Sequence, residues 1–190
     1  AGHTIKEVKP ALVPFVIQEE WCRQLQGLSL KNISCLIKKD KKKIYEGFGE
    51  MLFTHFGVSG PLMLSASSFY VKKYRGEEVQ LFVDLKPALT KEQLDARILR
   101  DFDKNTNKQF KNALDELLPA KLIPVILGLS GVPVEKRVNE ITREERSRLV
   151  ELLKNLTLTI TGTRGFSEAI VTQGGVNVKE ILPASMESRK

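Results

Sequence analysis

Two short stretches concentrate the residue types that could do chemistry: Gly49 to Pro61, reading GEMLFTHFGVSGP, and Ile170 to Met186, reading IVTQGGVNVKEILPASM. In the first, a glycine-bearing turn leads straight into a helical pattern. Unpaired backbone N–H groups and the positive end of a helix dipole would there suit a phosphate, a carboxylate or a developing anion. Gly57 and Gly60 permit close backbone approach, and Ser59 could cap the helix or hydrogen-bond a ligand. His55 is the general acid or base candidate of this stretch, because imidazole titrates at about 6.5. The other histidine, His3, lies near the terminus. In the second stretch Gly174 and Gly175 follow a strand. They read either as the tight turn of a hairpin, with Val176 and Val178 on the returning strand, or as bare backbone for a flat ligand. Local physics favours plain structure in each case: a turn, a hairpin, and a histidine without an identifiable partner.

Other chemistries find no support. The chain contains no Ser/His/Asp arrangement, HExxH, Walker A or GxGxxG pattern, so a self-contained hydrolase, metalloenzyme or nucleotide-binding domain is not signalled. Cys22 and Cys35 lie 13 positions apart with no CxxC, and only two histidines accompany them. Neither a zinc site nor a disulfide framework is expected, and both read as buried thiols of a reducing, cytoplasmic compartment. The longest apolar stretches, around Leu122 to Leu129 and Leu81 to Leu85, fall far short of the roughly 20 residues that span a bilayer. The opening AGHTIKEVKPALVPF lacks an initiator Met and a signal-peptide pattern, so the chain reads as cut at its front.

The elements that must position these residues change character along the 190-residue chain. Residues 1–86 read mainly as strands. Leu12 to Ile17 is a β-favouring run broken by Pro14, which pushes it to an edge or bulge. Leu28 to Ile37 alternates with a slip near Asn32, and a lysine-rich turn joins it to the alternating Ile44 to Glu50. Glu78 to Leu85 gives another strand. Between them Pro61, preceded by Ser59 and Gly60, starts a helix running to about residue 74. From Pro87 to Asn155 the texture is helical, with capping boxes at Thr90/Gln93 and Thr142/Glu145, and four helices are expected: 90–102, 110–119, 122–129 and 142–153. Leu156, Leu158 and Ile160 then restore the strand pattern. Strands interrupted by helices and then resumed imply one sheet or barrel with a helical excursion.

Taken together and in order, GEMLFTHFGVSGP and AIVTQGGVNVKEILPASMESRK resemble the paired signatures of the BaiN-like family of bacterial flavoproteins, NAD(P)/FAD-dependent oxidoreductases. The opening GHTIKEVKPALVPF also resembles the point where that family's chain leaves its FAD-binding domain. The resemblance implies an α+β insert domain: a small β-barrel over 1–86 and 156–170, interrupted by a four-helix subdomain over 87–155. Residues 171–190 would return towards a split Rossmann-like FAD domain that is mostly absent from this sequence. The family's upstream GxGxxG fingerprint is missing, so this fragment alone is expected to be inactive and to hold FAD weakly. In the parent, hydride would pass from NAD(P)H through FAD to a small reducible substrate. The resemblance carries Thr54, His55, Gly57, Ser59 and Gly60 over as a cap-side site, with His55 as proton donor. It carries Thr172, Gly174, Gly175, Glu187 and Ser188 over as flavin-side residues. The expected partner is the rest of the FAD-binding domain, with no metal and no membrane.

Two competing functions come from other classes. The formal net charge of +7 is spread as +4 over residues 1–86, +2 over 87–155 and +1 over 156–190. Its one dense part, Lys38 to Lys43 around Asp40, suits RNA or single-stranded DNA less well than a solvated hairpin tip, because only Tyr45 is nearby for stacking. A nucleic-acid partner is therefore not expected there. The remaining alternative is a structural or assembly domain whose helices make a subunit contact.

Overall fold

A computed structural model describes residues 2–190. Six strands close into a barrel: β2 (Phe15–Ile17), β3 (Ser29–Lys39), β4 (Lys42–Phe53), β5 (Gly57–Ser59), β6 (Val79–Asp84) and β7 (Leu156–Thr163), in the spatial order β2-β5-β4-β3-β6-β7. All adjacent pairs are antiparallel, and closure leaves no free edge within the barrel. Alternation decides what points inward: Ile37, Leu81, Val83, Leu158 and Ile160 are buried, while their neighbours along the strand are partly or fully exposed. The expected slip near Asn32 is a register shift between Leu30 and Ile33. The lysine turn is a hairpin tip, with Asp40 at φ 51°.

Two further strands stand apart from the barrel. β1 (Ile5–Ala11) and β8 (Val171–Val176) form an antiparallel two-stranded ribbon, with Ala11 opposite Val171 and Ile5 opposite Val176. Residues 2–14 therefore lie outside the barrel, which begins at Phe15. The ribbon also replaces the hairpin expected at Gly174 and Gly175. Both glycines sit inside β8, because β1 rather than a returning strand supplies the hydrogen-bonding partner.

Helix α1 (Pro61–Lys73) covers the barrel against β4. Its Tyr70 stacks edge-on against Phe15 at 5.5 Å and donates its hydroxyl to the Glu77 carbonyl at 2.8 Å. Ser67, also buried, accepts from the Val13 N–H at 3.0 Å and so ties the root of β2 to the helix.

The helical subdomain leaves the barrel after β6 and rejoins it at β7. It holds α2 (Lys91–Asp103), α3 (Ile123–Ser130) and α4 (Arg143–Lys154). Both expected capping boxes form, at Thr90/Gln93 and at Thr142/Glu145. The helix expected over 110–119 is instead one 3-10 turn at Phe110–Asn112 followed by turns. The Phe110 and Lys111 N–H groups donate to the carbonyls of Lys136 and Val134, while the Asn112, Ala113, Leu117 and Leu118 N–H groups close separate short turns on Gln109, Phe110 and Leu114. Leu94, Ile98, Phe110, Leu149 and Leu153 bury the helical interior, in one continuous core with the barrel.

Candidate functional site

The sequence-derived site residues form two clusters. The first surrounds the β4–β5 turn. Thr54 closes that turn twice, its N–H donating to the Gly57 carbonyl at 2.8 Å and its hydroxyl accepting from the Gly57 N–H at 3.1 Å. Gly57 is required here: at φ 155° a Cβ would stand 2.4 Å from the Phe15 carbonyl oxygen, inside the β2–β5 pairing. Gly60, at φ 91°, is the N-cap of α1, and a Cβ would meet the Leu52 nitrogen at 3.0 Å. Ser59 ends β5, and the α1 terminus has no side-chain cap, so the capping role open to Ser59 is not the one it takes. His55 is exposed at the turn's tip, its ring edge-on to Phe56 at 4.8 Å. The Arg164 guanidinium lies over the same Phe56 ring at 4.5 Å.

The second cluster lies on the ribbon and its return. Thr172 pairs with Pro10, and Gly175 with Lys6. Gly174, at φ 104°, admits the Glu7 carbonyl oxygen, which would stand 2.1 Å from any Cβ. Its bare backbone is therefore taken up by β1. Gly175, at φ 90°, has nothing within 4 Å of the position a Cβ would occupy, so its backbone is the one open to a flat ring from outside. Glu187 accepts from the Ser185 hydroxyl at 3.0 Å, and Ser188 shares a hydrogen bond with His3 Nε2 at 3.0 Å.

That last contact belongs to a clasp missed from sequence. His3 Nδ1 lies 3.0 Å from Glu180 Oε2, the Thr4 N–H donates to the same oxygen at 2.9 Å, and Lys190 Nζ reaches the Gly2 carbonyl at 2.8 Å. Hydrogen bonds from Thr4, then those from His3 and Lys190, hold the Glu180 carboxyl down to about 2. No local pattern could have found it, since the partners lie at opposite ends of the chain. Together the ribbon and clasp bring the first and last residues of the described chain side by side.

The two clusters are joined by one segment. Arg164 lies on Phe56 and pairs with Glu168 at 2.7 Å, Phe166 lies under Arg75, and the Ile170 N–H donates to the Leu12 carbonyl at the ribbon's root. Cys22 and Cys35 are buried free thiols, pushed up to about 12 by that burial. Among the described residues there is no cluster of side chains that could hold a metal, and no helix is long and apolar enough to cross a membrane.

A closed barrel with a helical excursion, its two ends leaving as one ribbon, defines a barrel-and-helix domain. Residues 9–171 match the model of the HI0933-like protein barrel and H2TH domain, and the chain belongs to that family. It is 30% identical over 190 residues to a 3-dehydro-bile acid delta(4,6)-reductase of Clostridium scindens, covering 99% of this chain and 46% of that protein. It is 27% identical over 189 residues to a ribosomal RNA dihydrouridine synthase of Escherichia coli, covering 100% of this chain and 44% of that protein. A protein of the same name from Haemophilus influenzae is 29% identical over 185 residues, covering 96% and 42%. The chain thus spans a little less than half the length of these relatives.

Proposed function

We propose that this chain is the barrel-and-helix insertion of an FAD-dependent reductase, docked on its own FAD-binding domain, in which hydride from NAD(P)H passes through the flavin to a carbon–carbon double bond. The observation that carries the reading is the ribbon with its clasp. An insertion must leave and re-enter its host at one place, and β1 with β8, locked by His3 and Glu180, supplies that doorway. The reaction class draws on the relatives' names, since delta(4,6)-reductase and dihydrouridine synthase both describe adding hydrogen across a double bond. FAD, when bound, supplies the redox chemistry.

This chain's own residues would serve the substrate side. The open backbone at Gly175 gives a flat edge for the ring, and Thr172, Glu187 and Ser188 flank that return segment. The β4–β5 turn, closed by Thr54 and Gly57, presents His55 at its tip, and Arg164 on the shared Phe56 ring would favour an electron-rich substrate oxygen. The role we assign to His55 is to deliver the proton that accompanies hydride addition. In the intact protein, NAD(P)H should bleach the bound flavin in both wild type and His55→Ala. Substrate should then reoxidise the flavin roughly 100-fold more slowly in the variant, the usual scale of general-acid catalysis. Equal reoxidation rates would remove His55 from the site, and an intact protein without flavin would remove the whole reading.

A further inference from the structure

The clasp sets a hydroxyl, an imidazole and a carboxylate in a row, with Ser188 Oγ 3.0 Å from His3 Nε2 and His3 Nδ1 3.0 Å from Glu180 Oε2. Distant pieces of chain build it. Glu180 ends the short turn Val178–Glu180, which Asn177 opens by accepting from the Lys179 N–H. The Asn177 N–H donates to the Thr4 carbonyl at 2.9 Å, and the Thr4 N–H donates to Glu180 Oε2 at 2.9 Å, so the turn is tied to the chain beside His3. Ser188 comes from the return segment, where it faces Ile181 across an antiparallel bridge. The His3 and Glu180 side chains are 13% and 15% exposed, while Ser188 is open to solvent. Only the hydroxyl end of the row can therefore meet a ligand.

The hydrogens of this row can be counted. Ser188 Oγ accepts from the Lys190 N–H at 3.0 Å, lies 2.8 Å from the Lys190 main-chain oxygen and lies 3.0 Å from His3 Nε2. A hydroxyl offers one hydrogen and two lone pairs. The Glu180 carboxylate is held ionised by Thr4, then by His3 and Lys190, and can only accept, so His3 Nδ1 must carry a hydrogen toward it. In a neutral imidazole Nε2 is then bare, and the one hydroxyl hydrogen serves either Nε2 or the Lys190 oxygen. In an imidazolium Nε2 donates to Oγ instead, and every contact of Ser188 is made at once. Protonation of His3 thus frees the Ser188 hydrogen from the imidazole, and an acceptor on the exposed side of Ser188 can take it. Among the described residues the charged groups facing this row are Glu180 and Lys190, whose Nζ lies 3.3 Å from Glu180 Oε1. Their charges are opposite, so a further negative charge beside Ser188 tips the row toward the imidazolium.

We infer that His3 is a positioning residue for the flavin step: it takes up a proton as negative charge reaches the ring, and so makes the Ser188 hydroxyl a donor toward that charge. The inference rests on the reductase reading, which sets Ser188 beside the ring. Hydride from NAD(P)H carries one proton and two electrons and leaves one negative charge on the ring system. The balancing proton comes from solvent and is held on His3 Nε2. When hydride passes on to the substrate that proton returns to solvent, and the proton that completes the product comes from His55. A hydrogen bond backed by a full charge is roughly twice as strong as a neutral one, so the imidazolium gives Ser188 a hold on the reduced ring that it lacks on the oxidised one.

The test is proton uptake on anaerobic reduction of the intact protein, read with an indicator dye in weak buffer between about pH 6 and pH 9. With NAD(P)H as reductant and no substrate present, wild type should at its maximum take up about one proton per flavin more than His3→Gln. His55→Ala should match wild type, because its proton is called on only when substrate is reduced. Ser188→Ala keeps the His3–Glu180 pair and so guards against a clasp that opens in His3→Gln. Its excess uptake should fall at least roughly twofold, and Ser188→Thr, which keeps the hydroxyl, should restore it. Equal uptake in wild type and His3→Gln, or in wild type and Ser188→Ala, would overturn the inference. So would the same uptake on adding sulfate to the oxidised protein, which would make Ser188 a donor to a bound anion rather than to the ring. Dithionite separates the inference from the reading beneath it. If dithionite bleaches the flavin and NAD(P)H does not, the reductase reading fails, while an excess of wild type over His3→Gln under dithionite would leave the role of His3 standing. An intact protein without flavin would defeat both.

Discussion

Gly174 and Gly175 are adjacent, both at positive φ, and carry different constraints. The first admits a carbonyl of the partner strand and the second borders open space. Gly174→Ala must therefore part β1 from β8, while Gly175→Ala costs only the left-handed strain, about 1–2 kcal/mol. Hydrogen exchange should show β1 and β8 amide protection lost in Gly174→Ala and kept in Gly175→Ala; equal protection in the two would refute this account of the ribbon. The clasp adds a pH dependence of known sign. Glu180 is ionised well below its ordinary 4.5, down to about 2. Its contribution is thus complete above about pH 4.5 and is lost as pH falls through 2. Limited proteolysis at the termini should increase across that window, and Glu180→Gln should remove the dependence by opening the clasp at every pH.

The linker from β6 to α2 is fixed by one cation. Lys154, at the end of α4, pairs with Asp84 at 2.6 Å and donates to the carbonyls of Lys86 and Leu89 at 3.1 and 2.6 Å. Lys154→Met should lower stability by about 2 kcal/mol, the scale for hydrogen bonds to a charged group, and should loosen Leu85 to Leu89. A denaturation midpoint equal to wild type would contradict this. The elements themselves were largely legible in the sequence. The start of α1 was marked by Pro61, the starts of α2 and α4 by their capping boxes, and the strands by apolar residues at a period of two. The failures have a common cause. The segment from Phe110 is broken into short turns and tied to residues 134–136 through the Phe110 and Lys111 N–H groups, and Gly174 and Gly175 lie in a strand because residues 5–11 pair with them. Both partners are distant in sequence, so local propensity could not foresee them. The same holds for the candidate site. Its turn around His55 and its glycines could be read locally, whereas the His3–Glu180 clasp is a product of tertiary folding.

At the scale of the molecule, the helical subdomain hangs from the Asp84 and Leu156 ends of β6 and β7, and the ribbon is reached from the far ends of β2 and β7. Everything between Ala11 and Val171 is thus an excursion whose two ends are register partners. That pairing permits the most direct measurement of the central claim. Residues 12–170 can be excised from the intact protein and Ala11 joined to Val171 by a short Asn-Gly turn, which the antiparallel register accommodates. If the excursion is the cap of a flavin reductase, the shortened protein keeps its flavin and is still bleached by NAD(P)H. Reoxidation by substrate should fall at least roughly 100-fold, because positioning and exclusion of water are gone. Reoxidation at the wild-type rate would contradict the account.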